Sequence, residues 1–270
     1  MSQRKSRSSR PKPSTLECIA IFLDRRRRPA INFIECGSSG FGDRMRGIAY
    51  ALFLAKKHKT SKIYYSQAMD GDDKSGFPFN MTDLISIQGI DFLPFAIPIE
   101  LRTATYIHYA EVGNPLKRYG YPEMWRIEPK QPEVISRLTG ISEGGPYLAL
   151  HIRRTDAEFR AEKFDTSERS VVNTLKKESA RTGTKRVYIA ADNADSFASW
   201  SETLAQEGFD VIENSAVFDA SMHRQTGSDD TMVDFFALAH SHALVRPVPS
   251  EFSRFAAWIG KKRLRYNDLK

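Results

Sequence analysis

The stretch YLALHIRRTD, residues 147–156, indicates the fold class of this chain more strongly than any other segment. Its first six residues form an apolar run interrupted only by His151, which is typical of a strand buried in a parallel sheet. Charged residues follow at once, and ligands of parallel α/β sheets bind beyond the carboxyl ends of the strands. The stretch therefore predicts a buried strand that leads Arg153, Arg154 and Asp156 to a ligand site.

The two adjacent arginines have different predicted roles, because neighbouring residues on a strand point to opposite faces. One of Arg153 and Arg154 can reach into a cleft while the other pairs structurally, for instance with Asp156. A guanidinium binds a diphosphate through two parallel hydrogen bonds and stays charged at any working pH. The alternatives are a surface cluster of ion pairs for the arginines and a hydrogen-bonded scaffold role for His151.

Apolar runs and amphipathic stretches alternate from this strand to the end of the chain, and a helix over 132–138 leads into it. The further strands are predicted over 186–191, 209–213 and 243–248, and the helices over 167–181, 195–206, 231–239 and 250–260. This order, βαβαβαβα, is that of a nucleotide-binding lobe.

Polar residues lie at strand and helix ends in this half of the chain. Asp192 or Asn193 can accept from ribose hydroxyls or a base amino group, or can cap the helix that follows. Asp234 is predicted near the start of its helix. Ser250 is predicted to begin the last helix, where its hydroxyl and the nearby N–H groups can hold a phosphate. Capping alone is the alternative for Ser250 and Asp234.

The first half contains one βαβ unit, with strands predicted over 31–35 and 62–65 and a helix over 43–57. A glycine-rich turn over 37–42 joins the first strand to the helix, and its N–H groups can approach a phosphate or sugar. The glycine spacing matches neither the dinucleotide fingerprint nor a P-loop, and a tight turn without a ligand explains it as well. Residues 67–125 are predicted as short strands and loops, where the acceptor site can lie.

Composition and charge exclude several classes of protein. The 270 residues are 41% hydrophobic and 11% aromatic, which supports a sizeable core rather than a disordered chain. The net charge of +7 comes largely from the first 14 residues and from Arg25–Arg28, so no nucleic-acid-binding surface is expected on the body. Two cysteines form no disulfide framework, and no apolar run reaches the ~20 residues of a transmembrane helix. We therefore expect a cytoplasmic protein.

Four segments together resemble a known family. Residues 151–156 (HIRRTD), 187–193 (VYIAADN), and 234–239 (DFFALA) followed by 250–254 (SEFSR) are similar to the three ordered motifs of the α1,6-fucosyltransferases. That family includes the core and chitin-oligosaccharide fucosyltransferases and is related to the α1,2- and protein O-fucosyltransferases. Residues 40–43 (GFGD) are similar to its N-terminal glycine motif.

The resemblance implies an α/β fold of the GT-B type, in which two Rossmann-like lobes with parallel sheets face a central cleft. It implies a GDP-fucose donor, an inverting reaction and no metal or other cofactor. We expect a disordered basic tail over 1–16, an N-terminal α/β lobe over 17–135 that carries the glycine-rich loop and the acceptor side, and a C-terminal nucleotide-sugar-binding lobe over 136–270. The acceptor is a glycan, a lipid-linked sugar or a protein hydroxyl.

The resemblance also implies roles for single residues. Arg153 would hold the donor diphosphate and stabilise the leaving GDP, Asp234 would contact the guanine or ribose end, and Ser250 would touch a phosphate. Asp192 and Asn193 would lie beside the nucleotide. The predicted donor-binding set is Gly40, Phe41, Gly42, Asp43, His151, Arg153, Arg154, Asp156, Asp192, Asn193, Asp234, Ser250, Glu251 and Phe252.

The general base is predicted among the acids that follow the arginine motif. An inverting transfer needs a carboxylate to take the proton of the acceptor hydroxyl, and Glu158 and Glu162 are the candidates. The family's equivalent acid aligns with neither, and simple counting arrives at Ala161. Two other functions stay open: a transferase of the same fold with another nucleotide-sugar donor, and a non-catalytic protein that binds nucleotide sugars.

Overall fold

The computed structural model describes residues 30–36, 40–68, 80–94, 103–109, 123–154, 167–214, 216–218, 226–261 and 264–265. Several sequence-based expectations lie outside these residues: the disordered tail over 1–16, the basic run Arg25–Arg28, the start of the glycine turn at Gly37, and the acids Asp156, Glu158 and Glu162.

The first half of the chain builds a four-stranded parallel sheet. Its elements are β1 (Ala30–Cys36), α1 (Phe41–His58), β2 (Lys62–Ala68), α2 (Met81–Leu84), β3 (Ile85–Ile87), β4 (Asp91–Pro94) and β5 (Thr103–Tyr109). The strand order is β4-β2-β1-β5, and every neighbouring pair is parallel. The predicted βαβ unit is confirmed: α1 packs against β1, and Met45, Ile48 and Leu52, which recur at helical spacing, are buried.

A short connecting region joins the two sheets. A 3₁₀ turn at Met124–Arg126 leads into β6 (Ile127–Pro129), which pairs antiparallel with β3, and then into α3 (Pro132–Glu143). Pro132 occupies the first turn of α3, where its missing N–H is no loss to the helix.

The second half builds a five-stranded parallel sheet. Its elements are β7 (Leu148–Ile152), α4 (Glu168–Thr182), β8 (Arg186–Ala191), α5 (Ala194–Gln206), β9 (Asp210–Val211), α6 (Ser228–His240), β10 (Ala243–Val245), α7 (Glu251–Ile259) and β11 (Leu264–Arg265). The order is β11-β10-β7-β8-β9 with all neighbours parallel. The chain leaves β7 toward β8 on one side and returns to β10 on the other, which creates a switch point beyond the end of β7.

Among the element boundaries in this lobe that differ from prediction, two have a clear local cause, and the strand predicted over 209–213 is shorter, Asp210–Val211. The strand predicted over 243–248 ends at Val245, because Pro247 and Pro249 have no N–H to donate to a strand neighbour. The helix predicted over 231–239 begins at Ser228, with Asp229 and Asp230 in its first turn. Asp234 therefore lies in the second turn of α6 and not near the helix start.

The hydrophobic core joins the two sheets. One cluster of buried residues runs from β1 and α1 to α6 and α7, and a second lies between β7, β8 and the helices α4 and α5. Phe41 of the first half contacts Phe235 and Phe252 of the second, with ring centroids 4.8 and 5.7 Å away. In the part of the chain that the structure describes, no helix is long and apolar enough to cross a membrane.

Candidate functional site

The ends of β7, β8 and β10 meet at the switch point, and Arg153 lies between them. Its side chain lines two adjoining cavities, and its Nη1 lies 3.5 Å from Oγ of Ser250. The side chain of Arg154 is exposed, while its backbone N–H donates to both carboxylate oxygens of Asp192, at 3.0 and 3.1 Å. Arg153 is therefore the arginine of the pair that faces the cleft, and Asp192 ties the end of β8 to the end of β7.

The smaller cavity, of about 70 Å³, is a slot between the two halves of the chain. Its apolar lining consists of Phe41, Phe252, Ala190 and Ala191. Its polar groups are His151, Arg153, Asp192, Thr226, Thr231, Asp234 and Ser250. Apolar surface combined with convergent polar groups is the usual form of a small-molecule site.

Asp234 is a buried carboxylate in this slot, only 5% exposed. Its Oδ1 accepts a hydrogen bond of 2.6 Å from the Tyr188 hydroxyl and one of 3.3 Å from the side-chain amide of Asn214. Burial raises the pKa of Asp234 to about 7, against the lowering effect of these two hydrogen bonds. Near neutral pH the carboxyl group therefore exchanges between its ionised form, which only accepts hydrogen bonds, and its protonated form, which can also donate one.

His151 stays neutral beside Asp234. Burial, with the charge of Arg153 adding to it, lowers the pKa of His151 to about 3, although Asp192 opposes the shift. The imidazole stacks on Phe252 with ring centroids 5.4 Å apart. Its Nδ1 is buried and has no hydrogen-bond partner among the described residues. The ring can therefore serve as a neutral hydrogen-bonding group in the slot, but not as a base that titrates near pH 7.

The larger cavity, of about 390 Å³, opens beside the slot, and its lining side chains include three arginines and two acids. It lies between the N-termini of α1 and α7, whose dipoles favour an anion. Arg153, Arg46 and Arg254 line it; Arg46 pairs with Asp43 and Arg254 with Glu251, each three residues away on the same helix. The positive groups, three guanidiniums and two helix N-termini, outnumber the two carboxylates. Their charge and geometry suit a diphosphate.

The two helix N-termini approach each other closely because Gly42 has no side chain. A Cβ atom at Gly42 would lie 2.5 Å from the backbone nitrogen of Phe252, well inside contact distance. The glycine motif thus serves to dock α1 against α7, which brings the first half of the chain into the site. Behind this junction, the buried Arg246 donates from Nη1 to the carbonyl oxygen of Ser250 at 2.7 Å and supports the turn into α7.

Most of the predicted site residues line the two cavities, with three groups of exceptions. Asn193 is the cap of α5, where its side chain accepts from the N–H of Ser196 at 2.8 Å. Arg154 is exposed and lines neither cavity. The third group, Asp156, Glu158 and Glu162, lies outside the described residues. Those that line a cavity are Gly40, Phe41, Gly42, Asp43, His151, Arg153, Asp192, Asp234, Ser250, Glu251 and Phe252.

Sequence reasoning missed several residues of the site. Arg46 and Arg254 stand three residues after Asp43 and Glu251 on their helices, a spacing that could have revealed both pairs. Tyr188 and Asn214 lie 46 and 20 residues from Asp234 in sequence, and no local signal connects them to it.

Among the described residues, no group of three or more His, Cys, Asp and Glu side chains could hold a metal ion.

Replacing Asp234 by asparagine should stabilise the fold. The raised pKa means that the folded protein holds this proton more tightly than the unfolded chain, so stability falls as pH rises from about 4 through about 7. Asparagine carries no charge, so we expect the free energy of unfolding at pH 8 to increase by roughly 2–4 kcal/mol.

Urea unfolding of the wild type and of Asp234→Asn, at pH 8 and at pH 5, tests this effect. At pH 5 the wild-type carboxyl is already protonated, so most of the gain in stability should disappear there. A variant that is no more stable than the wild type at pH 8 would show that Asp234 carries no burial penalty.

Solved structures of other proteins have a similar fold. No protein-family model and no curated protein sequence matches the chain. Its structure is similar to that of POFUT1 in complex with GDP, with a TM-score of 0.56 and 10% identity over 89% of this chain and 99% of that chain. It is also similar to NodZ alpha-1,6-fucosyltransferase soaked with GDP-fucose, with a TM-score of 0.52 and 16% identity over 90% and 96% of the two chains. These similarities confirm the predicted α/β fold of the GT-B type.

Proposed function

We propose that this protein is an inverting, metal-independent glycosyltransferase that moves fucose from GDP-fucose to a hydroxyl acceptor. The observation that carries the proposal is the pairing of two cavities around Arg153, one an apolar slot with a buried carboxylate and the other a cationic pocket between two helix N-termini. A nucleoside diphosphate has the same division into a flat ring and two charged phosphates. The shared fold with structures of POFUT1 and NodZ in complex with GDP or GDP-fucose supports the same reading.

The nucleobase is assigned to the slot. Phe41 and Phe252 supply ring contacts, and the ionised Asp234 presents a charged acceptor. The Watson–Crick edge of guanine carries two neighbouring N–H donors, whereas that of adenine alternates donor and acceptor. A buried carboxylate left without its donors is costly, so the slot should favour guanine strongly.

The diphosphate is assigned to the larger cavity. As the bond from the sugar to the β-phosphate breaks, negative charge grows on the departing GDP. Arg153 and the N–H groups at the starts of α1 and α7 offset this charge without having to reorganise. Ser250, at the N-cap of α7, makes no side-chain cap bond, so its hydroxyl is able to contact a phosphate oxygen.

The acceptor hydroxyl must lose its proton to a carboxylate as it attacks. Glu158 and Glu162 remain the proposed bases from the sequence. Among the described residues, Asp43 and Glu251 are the acids that line the larger cavity, and each is held by an arginine. The acceptor is proposed to be a glycan, a lipid-linked sugar or a protein.

Calorimetric titration with GDP, GDP-fucose, GDP-mannose and UDP-GlcNAc, with EDTA throughout, tests the donor. We expect GDP and GDP-fucose to bind with micromolar affinity and the UDP-sugar to bind at least about 100-fold more weakly. Preferred binding of the UDP-sugar would leave the fold intact and show the donor to be wrong. Binding of GDP-fucose without any release of fucose, to water or to a panel of glycan acceptors, would favour a non-catalytic nucleotide-sugar-binding protein.

A further inference from the structure

Tyr188 makes a hydrogen bond that neither the packing of the sheet nor the proposed chemistry requires. It lies in the middle of β8, fully buried, with Val187, Ile189 and Ala190 around it in the same strand. A phenylalanine would fill this position equally well. A buried hydroxyl needs a partner, and this one donates to the Asp234 carboxylate at 2.6 Å.

The hydrogen bond from Tyr188 gives the two carboxylate oxygens of Asp234 different roles. Tyr188 and Asn214 both donate to Oδ1, at 2.6 and 3.3 Å. Among the described residues, Oδ2 has no hydrogen-bond donor. Asp234 lines the slot. One oxygen is thus held by the protein, and the other is left for a ligand.

Tyr188 is a dependable donor in this bond. Its pKa is raised well above the ordinary value of 10, first by burial and then by the charge of Asp234 and the hydrogen bond to it. The phenol therefore keeps its proton at every working pH. Asp234, in contrast, titrates in the physiological range, so the bond stabilises one of its two forms.

The other charged and titratable groups near Asp234 balance one another. On α6 itself, Asp230 raises the pKa of Asp234, and from α3 Arg137 lowers it; these two form an ion pair of 2.8 Å. From β7, His151 lines the same slot in its neutral form, and the Tyr147 hydroxyl donates to the carbonyl oxygen of Ala237. The direct hydrogen bonds to Oδ1 are therefore the main local support for the ionised carboxylate.

We infer that Tyr188 is a positioning residue for donor recognition: it holds Oδ1 of Asp234 and so fixes the carboxylate with Oδ2 toward the nucleobase. The inference rests on the proposed function, because the nucleobase of the donor is the ligand that Oδ2 would accept from. It assigns to Tyr188 the lower pH limit of donor binding, although Tyr188 is not among the residues that line the slot.

The test is GDP calorimetry of wild type and Tyr188→Phe between pH 5.5 and 9. In the wild type, GDP affinity should fall as pH drops below about 7, because protonated Asp234 no longer accepts from guanine. Loss of the Tyr188 hydrogen bond raises the pKa of Asp234. We therefore expect the midpoint of the affinity-versus-pH curve of Tyr188→Phe to lie about one pH unit higher than in the wild type. Affinity should then be about fivefold weaker than wild type at pH 7 and within about twofold of it at pH 9.

Tyr147→Phe is the matched control. It removes the other buried tyrosine hydroxyl that reaches α6, but that hydroxyl bonds a backbone carbonyl and not Asp234. Both variants should lose some stability with the buried hydrogen bond, and only Tyr188→Phe should change the pH profile. An unchanged profile in Tyr188→Phe, or an equal shift in Tyr147→Phe, would overturn the inference.

A second measurement separates this inference from the proposed function. Carbon-13 NMR of the Asp234 carboxyl in nucleotide-free protein reports its ionisation directly, whatever the ligand is. A higher midpoint in Tyr188→Phe than in wild type supports the positioning role even if no guanine nucleotide binds. Equal midpoints would exclude that role even if GDP binds tightly.

Discussion

Replacing Arg153 by alanine is expected to weaken GDP binding at least about 100-fold and to abolish fucose transfer. Arg153 is the residue that lines both cavities and carries a full charge at their junction. Charge-assisted hydrogen bonds to a phosphate contribute about 1.5–3 kcal/mol each, and an anion left without its partner adds to the loss. Calorimetry with GDP and a turnover assay with GDP-fucose measure the two effects.

Arg154→Ala is the matched control for this variant. The sequence predicts that one arginine of the pair has a structural role, and on that prediction the change would chiefly destabilise the fold. In the structure the Arg154 side chain is exposed, and Asp192 accepts from its backbone N–H, which alanine keeps. We now expect stability within about 0.5 kcal/mol of wild type and GDP affinity within about twofold.

Arg153→Lys refines the assignment. Lysine restores the charge without the two-pronged geometry of a guanidinium, so affinity should recover only in part. Arg153→Ala with wild-type affinity for GDP, or Arg154→Ala with the larger loss of the two, would show that the wrong arginine has been placed in the cleft.

The second large effect is expected for Gly42→Ala. The new Cβ would lie 2.5 Å from the backbone nitrogen of Phe252 and 2.9 Å from the carbonyl carbon of Glu251. Backbone atoms at the start of a helix cannot move aside as a flexible side chain can, so α1 and α7 must separate. We expect a loss of roughly 2–4 kcal/mol in the free energy of unfolding, measured in urea, together with loss of GDP binding.

Gly140→Ala is the control for the same chemical change in another helix. Gly140 is exposed in α3, and nothing lies within 4 Å of a Cβ atom built there. Alanine should therefore stabilise that helix by about 0.5–1 kcal/mol and leave GDP binding unchanged. If Gly42→Ala behaved like Gly140→Ala, the two helix N-termini would not be in the contact described above.

Strands and helices with a strong local pattern were predictable from the sequence. The apolar run of β7 and the periodic apolar positions of α1 are examples, and both elements are confirmed. Ser167, where the predicted helix over 167–181 begins, caps α4, and its side chain accepts from the N–H of Ser170 at 3.3 Å. Such signals depend on residues a few positions apart, and these interact in the same way wherever the element lies.

The irregular segments were not predictable in the same way. The pairing of β5 with β1 and of β3 with β6 joins residues far apart in sequence, and short strands carry little periodicity of their own. The location of Asp234 was misjudged for a related reason. Its helix begins with three polar residues, Ser228 to Asp230, that carry no apolar pattern, so the start was placed too late.

The sequence by itself determined the alternation of strands and helices and the polar residues at the strand ends, because both follow from local spacing and from the rule that ligands lie beyond carboxyl ends. Tertiary structure alone decided which arginine faces the cleft, why Gly42 must be glycine, and that Tyr188 holds Asp234 across 46 residues. These features depend on how the helices pack on the two sheets. A contact between residues that are distant in sequence produces no local sequence pattern around either residue.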